Sequence, residues 1–226
     1  MLILLLSASL LLSSAFAQEK ARVIDPKTVP LSGATTKAFV PKGWVSQDEQ
    51  TGDLNGDGLP DAVLQLIEDL PKKSDDDFRT RYRALLILFK IADGKYTRAA
   101  VAGSLLMCGG CGGMLGGTGD SAAADVKIEK GVLLVSQLAG SRESTDHLQR
   151  FRFNAATKQF LLIGEDVANV DRATGASEVI STNYLTGKQV IERRKYNEKT
   201  DKDVLLSKKI KVVARKQKPI EQVEYE

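Results

Sequence analysis

The sequence predicts an all-β chain, an antiparallel meander of hairpins arranged as a sandwich or as a propeller-blade-like sheet. Three observations carry this expectation. Short runs rich in Val, Ile, Leu, Phe and Tyr recur from Ala62 to Val213, and turn-forming pairs such as Asp93-Gly94, Lys130-Gly131 and Thr186-Gly187 separate them. No long segment repeats its apolar residues at helical spacing.

At the start of the chain, Leu2-Ile3-Leu4-Leu5-Leu6 and Leu10-Leu11-Leu12 form an apolar stretch ahead of Ala15-Phe16-Ala17, the A-x-A pattern of a cleaved leader. The expected organisation is a signal peptide over 1–17, an N-terminal extended segment over 18–40, and a single β-rich domain over 41–226. The leader is shorter than the roughly 20 residues of a membrane-spanning helix, and no later run approaches that length. No Cys sits near the cleavage pattern, so the product is expected to be periplasmic or secreted, without a membrane span.

Asp53-Leu54-Asn55-Gly56-Asp57-Gly58-Leu59-Pro60-Asp61 sets short oxygen-bearing side chains at every second position around glycines. A hard cation such as calcium takes six to eight oxygens at about 2.3–2.6 Å. Asp53, Asn55, Asp57 and Asp61, with the Leu59 carbonyl, answer that demand, whereas the same carboxylates in a merely solvated turn would repel one another. Calcium is therefore the expected bound ion. The loop is not a regular EF-hand: counting from Asp53, the twelfth position is Leu64, where that motif needs a bidentate Glu. The adjoining run, Ala62-Val63-Leu64-Gln65-Leu66-Ile67, reads as a strand leaving the turn.

The run Gly52 to Val63 resembles the FG-GAP or VCBS-type repeat, whose calcium loop joins strands in integrin-like propeller blades. With the preceding Pro41-Lys42-Gly43-Trp44, it is similar to secreted bacterial proteins that carry one such loop before a β-rich remainder. The resemblance covers about Pro41 to Ile67 and implies that Asp53, Asn55, Asp57 and Asp61 are the metal ligands. A whole propeller needs roughly four to eight blades. One loop and no blade-length repeat occur here, so the resemblance extends to the loop and its flanking strands.

Downstream, Leu85–Ile91 and Lys95–Val101 are expected to pair across Ala92-Asp93-Gly94, and Ala124–Glu129 with Val132–Leu138 across Lys130-Gly131. Leu148–Phe153 then turns through Asn154–Thr157 into Gln159–Ile163. Asp171 to Ala176 reads as a tight polar turn, Glu178–Tyr184 and Gln189–Lys195 flank Thr186-Gly187, and Val204–Val213 closes the sheet.

Cys108-Gly109-Gly110-Cys111 is the second chemical feature. In an exported chain with two cysteines, a local disulfide is the plain reading. A thioredoxin-like role requires the first Cys at a helix N-terminus, and the surrounding glycines oppose a helix. Zinc would have only these thiols and His147 as soft ligands. Gly109 to Gly119 lacks the Gly-Lys-Ser/Thr ending of a phosphate loop and reads as a surface loop. His147, with Ser141, Ser144 and Asp146 nearby on an expected loop, has no G-x-S-x-G elbow to make a triad. Trp44 is expected in the core beneath the acidic loop.

A formal net charge of +3 conceals an acidic first third and a basic C-terminal part, which includes Arg193-Arg194-Lys195, Lys208-Lys209 and Arg215-Lys216. A nucleic-acid footprint would need a clustered basic face with aromatic or groove-reading elements, whereas this basic part reads as a solvated strand face, and with export expected nucleic acid is not an expected partner. The functional expectation is an exported, non-enzymatic, calcium-binding β protein with a surface-binding or envelope role, its partner another envelope protein or an acidic surface polymer. The alternative is a periplasmic thiol-disulfide protein using Cys108 and Cys111.

Overall fold

The computed structural model describes residues 23–70, 80–115 and 124–225; the expected leader and Gly116 to Gly119 lie outside them. The first sheet contains β1 (Ser32–Gly33), β2 (Trp44–Gly52), β3 (Asp61–Glu68), β4 (Arg83–Lys90) and β5 (Tyr96–Ala102), in the order β1-β5-β4-β3-β2. The second runs in strict chain order through β6 (Asp125–Glu129), β7 (Val132–Gly140), β8 (Glu143–Asn154), β9 (Gln159–Asp171), β10 (Ala176–Asn183), β11 (Lys188–Asn197) and β12 (Lys202–Val212). All pairings are antiparallel and neither sheet closes into a barrel. Among the described residues the only helical turns are short 3₁₀ segments, and no helix is long and apolar enough to cross a membrane.

The turns fall where the glycine pairs place them. Lys130 and Gly131 both have positive φ, 51° and 74°, the requirement of a two-residue hairpin turn that follows the twist of its strands. β3 and β4 are apolar almost throughout because both of their faces are covered, the condition under which strands lose the hydrophobic/polar alternation. Val63, Leu85 and Ile87 share one core with Leu133, Val135, Phe151 and Phe160 of the second sheet. Leu64, Leu66, Leu86 and Leu88 face the other way, against Ile24, Val29, Phe39 and Trp44. Residues 23–40 thus form a cover built from 3₁₀ turns at Pro26–Thr28 and Thr36–Phe39 and the short strand β1.

Trp44 is buried, but not beneath the acidic loop. It pairs with Glu68 at the opposite end of the β2–β3 hairpin from Gly52 and Asp61. β8 and β9 run further than their apolar runs suggest, so Glu143 to His147 lie on a strand and not on a loop. After β12 the chain turns back across the second sheet: Leu162 N–H donates to Lys218 C=O, and Ile220 and Val223 enter the shared core. β12 therefore ends the sheet as an edge and closes nothing. Among the described residues, β10, β11 and β12 contribute no residue to either core, and their chief contacts are with one another and with β9, so they form a wing of the second sheet.

Candidate functional site

The acidic turn joins β2 to β3. A Cβ at Gly52 would come within 2.8 Å of Ile128 Cγ2, so this end of the hairpin sits directly against β6. Gly56 and Gly58 have φ of 83° and 82°, and these two left-handed steps fold the loop tightly. Asp53 accepts from Gly56 N–H (2.7 Å) and Gly58 N–H (3.0 Å). Asn55 Oδ1 accepts from Asp57 N–H, and Asp57 Oδ1 from Leu59 N–H. Each short side chain thus folds onto the backbone two to five residues ahead, the local bonding that makes Asp and Asn turn-formers.

Asp61 differs from the rest. It is fully buried, and its two oxygens accept from Leu54 N–H (2.9 Å) and Lys90 N–H (3.0 Å), tying the turn to the end of β4. Burial pushes its carboxyl up from the ordinary value. Those two N–H groups pull it back, and the charges of Asp57 and Asp53 add to the upward push.

The turn brings Asp53, Asn55, Asp57, Leu59 and Asp61 into one segment, and the hydrogen bonds its carboxylates accept come from backbone N–H groups and the Asn55 amide. The donor set suits a hard cation, since an ionised carboxylate has about four lone-pair sites and these N–H bonds leave some free. Their arrangement is not that of a closed cage: among the described residues no three His, Cys, Asp or Glu side chains converge in a metal-holding group.

The cysteines lie in the loop that leaves β5. Cys108 and Cys111 are joined as a disulfide with Cα atoms 5.3 Å apart, Cys108 buried and Cys111 exposed. Two buried polar side chains hold the approach to this loop. Gln137 accepts from Met107 N–H and donates to Leu105 C=O, and Arg83 donates to Met107 C=O. Neither cysteine stands at a helix N-terminus.

A cleft not evident from the sequence crosses the face of the second sheet that turns toward the first. It has a volume of about 630 Å³ where Thr145, Asn169, Glu178, Arg193 and Tyr225 line it, with a neighbouring recess of about 470 Å³ under the returning C-terminal segment. His147 borders both. Its Nε2 lies 3.1 Å from Glu165 Oε2, and Tyr184 O–H donates to Glu165 Oε1 at 2.5 Å. The hydrogen bond from His147 is the chief reason that the Glu165 carboxyl sits below the ordinary range, with Tyr184 contributing against the cost of burial. Burial and the Glu165 charge push the Tyr184 phenol well up.

Among the described residues no hydrogen bond joins His147 to Ser141, Ser144 or Asp146. Asp146, one residue away on β8, points to the opposite face and accepts from Ser136 O–H. The sequence could not pair His147 with Glu165, because that contact depends on the β8–β9 register, which shifts between Arg150 and Phe151.

Fold and turn together describe a two-sheet antiparallel β protein with an acidic hairpin loop. No family model, no curated protein and no solved structure matches the chain.

Proposed function

We propose that this chain is an exported, non-enzymatic β protein whose β2–β3 turn holds calcium and whose task is to bind a partner at its surface, outside the cytoplasm. The observation that carries the calcium reading is the crowding at Asp61. A buried carboxylate lies within reach of the charges of Asp53 and Asp57, with only backbone N–H groups to balance it. A cation on that turn would relieve the repulsion, with Asp53, Asn55, Asp57 and Asp61 and the Leu59 carbonyl as the groups to hold it. Its contribution is structural: it fixes where β3 begins. Likeness of the turn to the FG-GAP or VCBS loop supports the same assignment, and the apolar leader pattern supports export, where calcium is plentiful enough for a loop of modest affinity, about 10⁻⁴–10⁻³ M.

A binding role is favoured over catalysis because the only histidine is engaged with Glu165 and, among the described residues, hydrogen-bonds to neither Ser141 nor Ser144. Thiol-disulfide exchange draws on the exposure of Cys111, but among the described residues no helix N-terminus stands at Cys108 to activate it.

Thermal melting in calcium and in EDTA tests the assignment. Binding to the folded state alone adds about 2.7 kcal/mol at a hundredfold excess over Kd, so calcium raises Tm and EDTA lowers it. The pair Asp53→Ala with Asp57→Ala removes the response. No calcium heat at millimolar concentration, or an unchanged calcium shift in the double variant, overturns the reading.

A further inference from the structure

The wing ends in a long unpartnered edge. β12 has eleven residues and, among the described residues, hydrogen-bonds to β11 alone. Leu205, Leu206, Ile210 and Val212 are 49, 62, 61 and 91% exposed along it. Scattered exposed aliphatic residues are ordinary, but several on one strand mark a contact surface. Between Lys188 and Lys218 there are twelve basic and four acidic residues, a net of +8 in a chain whose total is +3.

Register decides which side of β12 is the sticky one. Leu205 lies opposite Arg194, Ile210 opposite Val190 and Val212 opposite Lys188, so these three share one face. Val204, Lys209 and Lys211, opposite Lys195, Ile191 and Gln189, lie on the other. A flat lipid surface laid against the more apolar face would leave Lys209 and Lys211 pointing away from it. What both sets of side chains share is the edge itself, with its row of free N–H and C=O groups.

We propose that the outer edge of β12 takes up an extended, acidic polypeptide segment as an eighth strand of the second sheet. Ladder hydrogen bonds supply the attachment, and acidic side chains select the partner. Lysines on an edge ordinarily repel another strand, and here they also refuse a second copy. β12 carries four lysines against one aspartate, so self-pairing would bring two such strands together. The same lysines admit an acidic strand. Lys208 already pairs with Glu192 at 2.8 Å, whereas Lys202, Lys209 and Lys211 have no acidic partner among the described residues and are free to do so.

This proposal rests on the reading that the chain acts by binding, and it does not require the calcium turn. The test therefore uses the full chain in calcium and in EDTA, with thermal melting alongside, so that a missing calcium response and a missing partner response are read separately. The probe is a fluorescent synthetic peptide, about the length of β12, that alternates Glu and Val, followed by anisotropy. Binding is expected in both buffers and to weaken with salt. A copy N-methylated at every residue keeps the charge but loses every N–H donor and should bind at least about tenfold more weakly. Lys209→Glu with Lys211→Glu should lose the acidic peptide and gain a Lys/Val counterpart. The methylated peptide tests the edge on the unaltered protein, whatever the stability of the variant. Equal binding of the methylated copy, binding only to phosphatidylglycerol vesicles, or a dimer in sedimentation that excludes the peptide overturns the proposal.

Discussion

His147 Nε2 lies 3.1 Å from Glu165 Oε2, and this contact across the β8–β9 ladder is the first of the interactions that favour the charged form of a half-buried carboxylate, the Tyr184 hydrogen bond adding to it. The folded state therefore keeps Glu165 ionised to a lower pH than an unfolded Glu, which titrates near 4.3. The contact contributes stability that is fully present above that value and is lost as pH falls through the lower folded one. His147→Ala should raise the Glu165 titration and bring the acid loss of stability to higher pH. Its cost near neutrality should be about 1–2 kcal/mol. Carboxyl NMR titration together with melts across acid pH checks both effects, and an unmoved Glu165 titration would contradict the assignment.

Asp61 predicts an isosteric test. Both of its oxygens accept backbone N–H groups, so Asp61→Asn must turn an amide NH₂ toward Leu54 N–H or Lys90 N–H. A buried donor facing a donor costs about 1–3 kcal/mol. Denaturant unfolding in EDTA should register that loss in full, because the clamp between the turn and β4 operates without any ion. A variant as stable as its parent in EDTA would remove the clamp from the account.

Core and wing should respond very differently to the same chemical change. Leu64→Ala, between the first sheet and its N-terminal cover, and Ile220→Ala, in the shared core, should each cost about 2–5 kcal/mol. Ile210→Ala, on the exposed edge, should stay within about 0.5 kcal/mol. Urea midpoints at constant slope measure all three. A comparably large loss at Ile210 would mean that the wing is packed against something.

For the Cys108–Cys111 bridge, the closed loop is short and the chain-entropy gain correspondingly small, about 2 kcal/mol. Reductant should lower the melting temperature of the parent by that equivalent and leave Cys108→Ser with Cys111→Ser unchanged. Turnover in an insulin-reduction assay that depends on both thiols would instead favour a redox role.

Hairpins were legible because their signals are local. Asp93-Gly94, Lys130-Gly131 and Thr186-Gly187 each fix a turn within a few residues, and the paired runs are set by it. The acidic turn was legible for the same reason, its donors being spaced along one short segment. Less could be read wherever partners are distant. The sequence does not reveal that Ile220 and Val223 return to the core, since a short apolar run after a polar stretch has no period to betray its destination. Nor could it place Trp44, whose position depends on which strand end the N-terminal cover reaches. The polar flanks of β8 and β9 looked like loop because a strand lining a cleft carries Thr145, His147 and Asn169 where a core strand carries Val or Leu.

The unequal width of the two sheets sets how long different parts of the molecule stay closed. Amides of β3 and β4 are shielded on both faces and should exchange with deuterium only through global unfolding, whereas those on the free side of β12 are open to solvent from the start. Between these limits the three wing strands can detach and re-form while both cores remain intact, since neither core contains any residue of theirs. Each such opening would briefly strip β9 of its β10 neighbour, so the rate at which the wing opens determines how often a second, normally hidden strand edge meets solvent.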